Sequence, residues 1–125
     1  MSEHYELKLE KYEIAGAHRL QLPYESPCQN LHGHNWLVSV YIKSTKLSKH
    51  GMILDFKHIK DYLKQYDHQC LNDIVDVNPT AENLARTFGQ FVCKQARKEG
   101  CTGVYFVQVD VQEAEHNVAS WVWEK

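Results

Sequence analysis

The periodicity of its apolar residues constrains the fold of this 125-residue chain more than any other feature. Two segments near the N-terminus and two near the C-terminus alternate apolar with polar residues, which is the pattern of half-buried strands. Between them, two stretches carry apolar residues at spacings of three and four, as amphipathic helices do. The order ββααββ predicts one α+β domain over residues 1–125, a four-stranded antiparallel sheet with two helices on one face.

Local signals give the expected bounds of these elements. The alternation in the first strand slips by one residue near Glu10 and Lys11, which predicts a bulge. Asp55 is the expected N-cap of the first helix, Pro79-Thr80 opens the second, and Gly100 ends it. The predicted strands are residues 5–14, a second one starting near residue 36, 104–111 and 118–123.

The predicted sheet needs more cover than its own helices supply. Two helices can cover only one face of a four-stranded sheet. The last strand ends in Trp121-Val122-Trp123, which is apolar on both faces, and two edge strands would remain unpaired. A second copy of the chain would cover these surfaces, so we predict an oligomer.

Composition excludes several classes of function. The formal net charge is −2, whereas a protein that tracks phosphates along nucleic acid is normally basic. No apolar stretch approaches bilayer length and no export signal is visible, so we expect a cytoplasmic protein without a membrane partner. The four cysteines have irregular spacing and predict reduced thiols rather than a disulfide framework.

The segment Cys28-Gln29-Asn30-Leu31-His32-Gly33-His34 carries the strongest chemical signal. In an extended chain residues i and i+2 point to the same side, so His32 and His34 can present both imidazoles to one point. With His18 they form a three-histidine set, which predicts a catalytic Zn²⁺ site with an open position. Taken alone, the His-Gly-His pair is more plainly interpreted as ordinary residues of a hairpin without a metal-binding role. Cys28 is either a fourth, structural zinc ligand or a free thiolate base beside the metal.

Other polar residues allow a plainer interpretation than catalysis. Asp67 and His68 could form a proton-transfer pair where the first helix ends, but their spacing alone favours a solvated helix terminus. Glu113 closes the third strand, and by itself it is most simply a residue of a solvated hairpin. Thr80 and Glu82 suit a helix cap and a carboxylate matched to the helix dipole.

Six stretches together resemble the 6-pyruvoyltetrahydropterin synthase / 6-carboxytetrahydropterin synthase family over nearly the whole chain. The resemblance implies the tunnelling fold (T-fold), in which ββααββ subunits join in rings of three that close a barrel. Two rings stack as a homohexamer, a dimer of trimers, with active sites at subunit boundaries. The matching stretches are Ala17-His18-Arg19-Leu20, Cys28-x₃-His32-Gly33-His34, Gly51 to Phe56, Asp67-His68 with Leu71-Asn72, Asn78 to Asn83, and Glu113.

The resemblance also assigns catalytic roles. The thiol base of the family matches Cys28, and its Asp-His pair matches Asp67 and His68. The three zinc-binding histidines of the family match His18, His32 and His34.

Substrate-binding roles follow in the same way. Glu113 matches the carboxylate that anchors the pterin, whose guanidine-like edge offers two N–H donors in parallel. Thr80, Ala81 and Glu82 match a pterin-contacting segment at a subunit interface, and Ala81 stands where some members carry threonine.

Two reactions on 7,8-dihydroneopterin triphosphate occur in this family. One eliminates triphosphate and leaves a pyruvoyl side chain. The other cleaves the side chain to a carboxylate and releases acetaldehyde and triphosphate, on the route to the queuosine (7-deazaguanine) base. The three residues between Cys28 and His32 resemble the carboxy type, which we favour. A zinc-stabilised pterin-binding module without turnover is the alternative of another class.

Overall fold

The computed structural model describes residues 3–125, which form two helices and one five-stranded sheet. The strands lie side by side in the order β3-β1-β2-β4-β5, and all neighbours are antiparallel except the parallel pair β3 and β1. The predicted α+β class with two helices is confirmed. The elements are β1 (Tyr5–His18), β2 (His32–Ser44), α1 (Phe56–Lys64), β3 (Gln69–Cys70), α2 (Ala81–Lys98), β4 (Val104–Ala114) and β5 (Asn117–Glu124).

The short strand β3 is the one strand of the described residues that the apolar pattern does not predict. Two residues are too few to show an alternation. The strand arises because His68 takes a left-handed backbone conformation, with φ of 59°, and its N–H donates to the Ala15 carbonyl at 2.6 Å. The chain after α1 is thereby directed along the edge of β1, and the sheet becomes mixed rather than purely antiparallel.

The first two strands are longer than predicted, and this extension carries the candidate site. β1 continues past Ile14 to His18, and β2 starts at His32 rather than near Trp36. Small and polar residues occupy this part of the hairpin, so the apolar alternation fades while the backbone pairing persists. The three histidines, which fall outside the predicted strand bounds, therefore lie on paired strands.

The predicted bulge in β1 is present. The pairing with β2 shifts register between Leu9 and Tyr12, and Lys11 adopts a φ of 54°. Its N–H donates to Ser39 Oγ at 2.9 Å, which satisfies a group that the sheet leaves unpaired.

Both helices begin where their capping residues predict. The Asp55 side chain accepts from the N–H of Lys57, and Thr80 accepts from the N–H of Asn83. Helix α2 packs on β4 and β5, and Gly100, with φ of 91°, ends it. Helix α1 contacts α2 through Tyr62 and Phe91, whose rings stack with centroids 3.7 Å apart.

One face of the sheet and two of its edges remain without cover in the described residues. β1 pairs with β3 only at Gly16 and Ala17, and the outer edge of β5 has no neighbour. The face opposite the helices is mixed rather than uniformly apolar, and Val122 on it is 51% exposed while Trp121 and Trp123 pack against the core. No helix in the described part of the chain has the length and apolar character needed to cross a membrane.

Candidate active site

The three predicted histidines meet at one end of the β1–β2 pair. His18 and His32 are register partners across the two strands, and His34 lies opposite Gly16. The donor nitrogens of all three residues lie within 4.8 Å of one another, and His18 Nε2 is 3.0 Å from His32 Nε2. Strand alternation and strand pairing together therefore bring the three imidazoles to one point.

Backbone carbonyls orient two of these rings. His18 Nδ1 is 2.7 Å from the Pro79 carbonyl, and His32 Nδ1 is 2.7 Å from the Asn30 carbonyl. A carbonyl accepts only, so each Nδ1 carries the proton and each Nε2 of a neutral ring presents a lone pair. With both rings neutral, the two lone pairs face each other at 3.0 Å, an arrangement that suits a cation bound by both nitrogens.

His34 adds an independent sign of a missing partner. Its Nε2 is buried and makes no hydrogen bond within residues 3–125. Glu113 Oε1 lies 3.4 Å from this atom without forming one. Buried polar nitrogens are rarely left without a partner, so the three-histidine set fits a bound metal ion.

The electrostatics of the cluster favour neutral imidazoles. Burial lowers the pKa of His18, and the bond to the Pro79 carbonyl opposes this effect. Burial also lowers the pKa of His34, and the charge of Glu113 opposes it. A neutral imidazole is the form that ligates a metal, so both shifts keep these rings ready to bind one.

The indole of Trp36 forms the floor of the cluster. Its ring centroid lies 4.9 Å from that of His18 and 5.1 Å from that of His34, in edge-to-face contact. The indole N–H donates to the Gly16 carbonyl at 3.1 Å, and Trp36 is fully buried. The histidines therefore rest on the end of the hydrophobic core, which limits their movement.

Glu113 is part of strand β4 and faces the cluster, unlike the solvated hairpin residue that its position in the sequence suggests. The β4–β5 pairing shifts register between Gln112 and Ala114, and Glu113 lies at this irregularity. Only 24% of its side chain is exposed. Bulges commonly redirect a side chain in this way, and here the carboxylate lies beside His34.

Asp67 and His68 are in contact, which the local spacing alone does not favour. Asp67 Oδ2 lies 3.0 Å from His68 Nδ1, and Asp67 Oδ1 accepts from the N–H of Ala15 at 2.7 Å. The Ala15 bond lowers the pKa of Asp67 against its desolvation, and His68 adds to the lowering. The His68 ring is 81% exposed, so it is oriented by an ionised carboxylate and remains accessible.

A cleft of about 530 Å³ connects this pair with the histidine cluster. Its walls are small residues of β1 and β2, which leave room for a ligand, and both His34 and His68 line it. Cys28 does not line this cleft and is not among the donors of the three-histidine cluster. The lining residues are Ala15, Gly16, Ala17, Gly33, His34, Asn35, His68, Gln69 and Cys70.

The remaining predicted site residues are not members of the cluster. Cys28 is half-buried in a short 3₁₀ helix over Pro27–Gln29, in the loop between β1 and β2. Thr80 caps α2, Ala81 is buried in the core and Glu82 is exposed. Pro79 just before them holds His18 through its carbonyl, a role that no side-chain pattern in the sequence could have indicated.

Comparison with known proteins gives the family of this chain. The family model described as 6-pyruvoyl tetrahydropterin synthase matches residues 8–124. The chain is 32% identical over 110 residues to the 6-carboxy-5,6,7,8-tetrahydropterin synthase of Synechocystis sp., a match covering 79% of this chain and 81% of that one. It is 31% identical over 102 residues to the enzyme of the same name from Aquifex aeolicus, covering 61% of this chain and 63% of that one.

Solved structures show the same fold at low sequence identity. The 6-pyruvoyl tetrahydropterin synthase of Plasmodium vivax superimposes with a TM-score of 0.73 at 16% identity, covering 99% of this chain and all of that one. The Caenorhabditis elegans 6-pyruvoyl tetrahydropterin synthase gives a TM-score of 0.68 at 20% identity, covering 96% of each chain.

Fold and site define a class, an α+β protein of the tunnelling-fold type with a three-histidine site able to hold a metal ion. The chain belongs to the 6-pyruvoyl tetrahydropterin synthase family. The tetrahydropterin synthases are lyases, and the chain is an enzyme of this kind.

Proposed function

We propose that the protein is a zinc-dependent 6-carboxy-5,6,7,8-tetrahydropterin synthase of queuosine (7-deazaguanine) biosynthesis. It would convert 7,8-dihydroneopterin triphosphate and one water to 6-carboxytetrahydropterin, acetaldehyde and triphosphate. The observation that carries the proposal is the set His18, His32 and His34, in which a buried His34 nitrogen has no hydrogen-bond partner among residues 3–125 and has a carboxylate beside it. The names of the Synechocystis and Aquifex relatives and the three-residue spacing between Cys28 and His32 support the carboxy type.

Glu113 would orient the substrate. Its carboxylate is half-buried, and the only nitrogen that approaches it as an ion-pair partner within residues 3–125 is His34 Nε2. A pterin presents two parallel N–H donors, which an ionised carboxylate can accept in a charge-assisted pair. In this proposal Glu113 holds the pterin ring so that the side chain of the substrate extends towards the histidine cluster. Thr80, Glu82 and the backbone of Ala81 would contact the pterin bound at a neighbouring subunit.

Two groups would move protons. Cys28, as a thiolate, would take a proton from the carbon next to the pterin ring. His68, oriented by Asp67 at 3.0 Å, would exchange a second proton from the cleft that it shares with His34. A zinc ion held by His18, His32 and His34 would supply Lewis-acid polarisation of the substrate side-chain oxygens.

We further propose that the working form is a cytoplasmic homohexamer with active sites at subunit boundaries. The unpaired edges of β1 and β5, at opposite ends of the sheet, support this because they offer complementary pairing surfaces to further copies.

The product formed from the substrate tests the reaction. Purified protein is incubated with 7,8-dihydroneopterin triphosphate, and the pterin product is identified by mass together with any acetaldehyde. A carboxylated pterin with acetaldehyde is the expected result. A pyruvoyl product would replace the carboxy-type proposal by triphosphate elimination, and tight pterin binding without turnover would indicate a zinc-stabilised binding module.

The metal content tests the ligand set separately. We expect one zinc per chain, lost in His34→Ala and retained in the control His116→Ala, whose side chain is exposed in the β4–β5 hairpin. X-ray absorption should show nitrogen and oxygen neighbours only. A sulfur at about 2.3 Å from the zinc would contradict the free thiol of Cys28 and indicate a structural site.

A further inference from the structure

Two asparagine side chains form the same pattern of hydrogen bonds with the backbone that follows His18. Asn72 Oδ1 accepts from the N–H of Arg19 at 2.9 Å, and Asn72 Nδ2 donates to the Arg19 carbonyl at 2.9 Å. Asn78 repeats the arrangement with Gln21, at 2.9 and 3.0 Å. Each side-chain amide thus satisfies both polar groups of one backbone residue.

The spacing of these contacts is that of a strand. Residues i and i+2 of an extended chain turn their N–H and C=O groups towards the same edge, which is where both amides bind. The opposite edge is also used, because the N–H of Leu20 donates to the Cys28 carbonyl at 2.8 Å. Residues 19–21 therefore continue β1 in an extended conformation. On one edge the Asn72 and Asn78 side chains take the place of a neighbouring strand. On the other edge the backbone of Cys28 takes that place.

Hydrogen bonds are the main means of holding this loop. No residue from Arg19 to Asn30 is buried, so the loop has no apolar anchor in the core. Its other contacts are mainly internal, such as Gln29 Nε2 donating to the Leu22 carbonyl at 3.0 Å. A surface loop with few apolar contacts keeps one conformation only if its polar groups are tied to a rigid element.

The two asparagines are themselves fixed to the candidate site. Asn72 follows β3 and the Asp67–His68 pair closely. Asn78 precedes Pro79, whose carbonyl orients His18, and the Asn78 carbonyl accepts from Asn83 Nδ2 at 2.9 Å at the start of α2. The hydrogen bonds of the two asparagines therefore link the loop that contains Cys28 to the segment after His68 and to Pro79, which binds His18.

We propose that Asn72 and Asn78 are positioning residues, which hold Cys28 in the position needed for proton transfer through their bonds to residues 19–21. The proposal rests on the proposed function only in the role that it gives to Cys28. Removing both amides should free the loop while the three histidines stay held by the β1–β2 pairing, and His18 also by the Pro79 carbonyl.

The experiment compares Asn72→Ala, Asn78→Ala and the double variant with the matched control Gln90→Ala. Gln90 is exposed on α2, and its amide makes no side-chain hydrogen bond in the described residues. Alkylation of Cys28 by iodoacetamide is followed by mass in a background that carries Cys70→Ser and Cys93→Ser, because these two thiols are also partly exposed. Turnover of dihydroneopterin triphosphate, zinc content and thermal unfolding are measured on the same proteins without the cysteine replacements.

We expect the double variant to alkylate Cys28 several-fold faster than wild type. Its kcat should fall roughly 10- to 100-fold, as expected for a misplaced reacting group, while KM and zinc content stay near wild type. Each single variant should fall between these limits, and Gln90→Ala should match wild type. An equal loss through KM alone would contradict a positioning role.

The outcomes separate this inference from the proposed function. If wild type turns over no pterin but the double variant exposes Cys28, the reaction proposal fails and the positioning role stands. If wild type is active and the folded double variant keeps wild-type alkylation and kcat, the inference is overturned. If the alanine variants do not fold, Asn72→Asp and Asn78→Asp retain the acceptor and remove the donor. Loss of fold in these as well would make both asparagines structural and would overturn the proposal.

Discussion

Cys28 lies on a loop outside the three-histidine cluster, so its removal should affect chemistry rather than the metal site. We predict that Cys28→Ala lowers the single-turnover rate by roughly 10²- to 10⁴-fold, the usual contribution of a positioned acid or base. Substrate affinity and zinc content should be unchanged. Cys93→Ala, on helix α2, is the control for loss of a thiol. Loss of zinc from Cys28→Ala would show that the thiol is a ligand.

Glu113 is expected to act in binding rather than in proton transfer. Glu113→Ala removes a charge-assisted pair and leaves pterin N–H donors without partners, which should weaken substrate binding by roughly 1.5–3 kcal/mol. The dissociation constant, measured apart from the single-turnover rate, checks this. Glu115→Ala, an exposed carboxylate two residues further on, should bind as wild type does. Wild-type affinity in Glu113→Ala would refute the role.

Helices α1 and α2 are joined by an ion pair that responds to pH. Glu99 Oε2 accepts from His58 Nδ1 at 2.9 Å, and this bond raises the pKa of His58 above its ordinary 6.5. The raised pKa adds stability that is fully present below 6.5 and is lost as pH rises through the raised value. His58→Gln should therefore lower the free energy of unfolding at acid pH and leave it unchanged at alkaline pH. Denaturant titrations across this range check it, and a pH-independent difference would contradict it.

The contact between α2 and β5 depends on a glycine. A Cβ at Gly89 would overlap the ring of Trp121, so the helix can lie against the strand only without a side chain there. Gly89→Ala gains about 1 kcal/mol in helix propensity, but overpacking a well-filled interface typically destabilises by about 1–3 kcal/mol. We therefore expect a net loss of stability in chemical denaturation. Gln90→Ala, its exposed neighbour, should change stability by less than about 0.5 kcal/mol.

At the scale of the whole molecule, the sheet formed by residues 3–125 has two unpaired edges and a partly apolar open face, which a single chain leaves in water. We predict a homohexamer that persists at micromolar concentration, because pairing of edge strands between copies removes these edges. Multi-angle light scattering measures the mass directly. A mass of one chain, 14.6 kDa, over this concentration range would contradict the assembly and the interfacial active sites.

Local periodicity predicted much of the fold. Apolar spacing located both helices, and the caps Asp55 and Thr80 predicted their first residues because capping depends on only a few neighbouring residues. The slip in β1 predicted its bulge for the same reason. The ends of the strands at the site were missed, because polar and small residues there pair through backbone groups that carry no sequence signal.

In the candidate site, too, some features follow from local sequence and others only from contacts between distant segments. The sequence by itself determined that His32 and His34 share a side, since the i, i+2 geometry of a strand is local. Only the tertiary structure decided that His18 lies opposite His32, because strand register depends on the whole hairpin and its bulge. The tertiary structure also decided the contact of Asp67 with His68, because His68 must take a left-handed backbone conformation that its bond to Ala15 holds. It decided the approach of Glu113 to His34 as well, because that approach depends on the irregular pairing of β4 with β5. The His18–His32 and Glu113–His34 contacts join residues distant in the chain, and pairing between strands, not local preference, sets their distances.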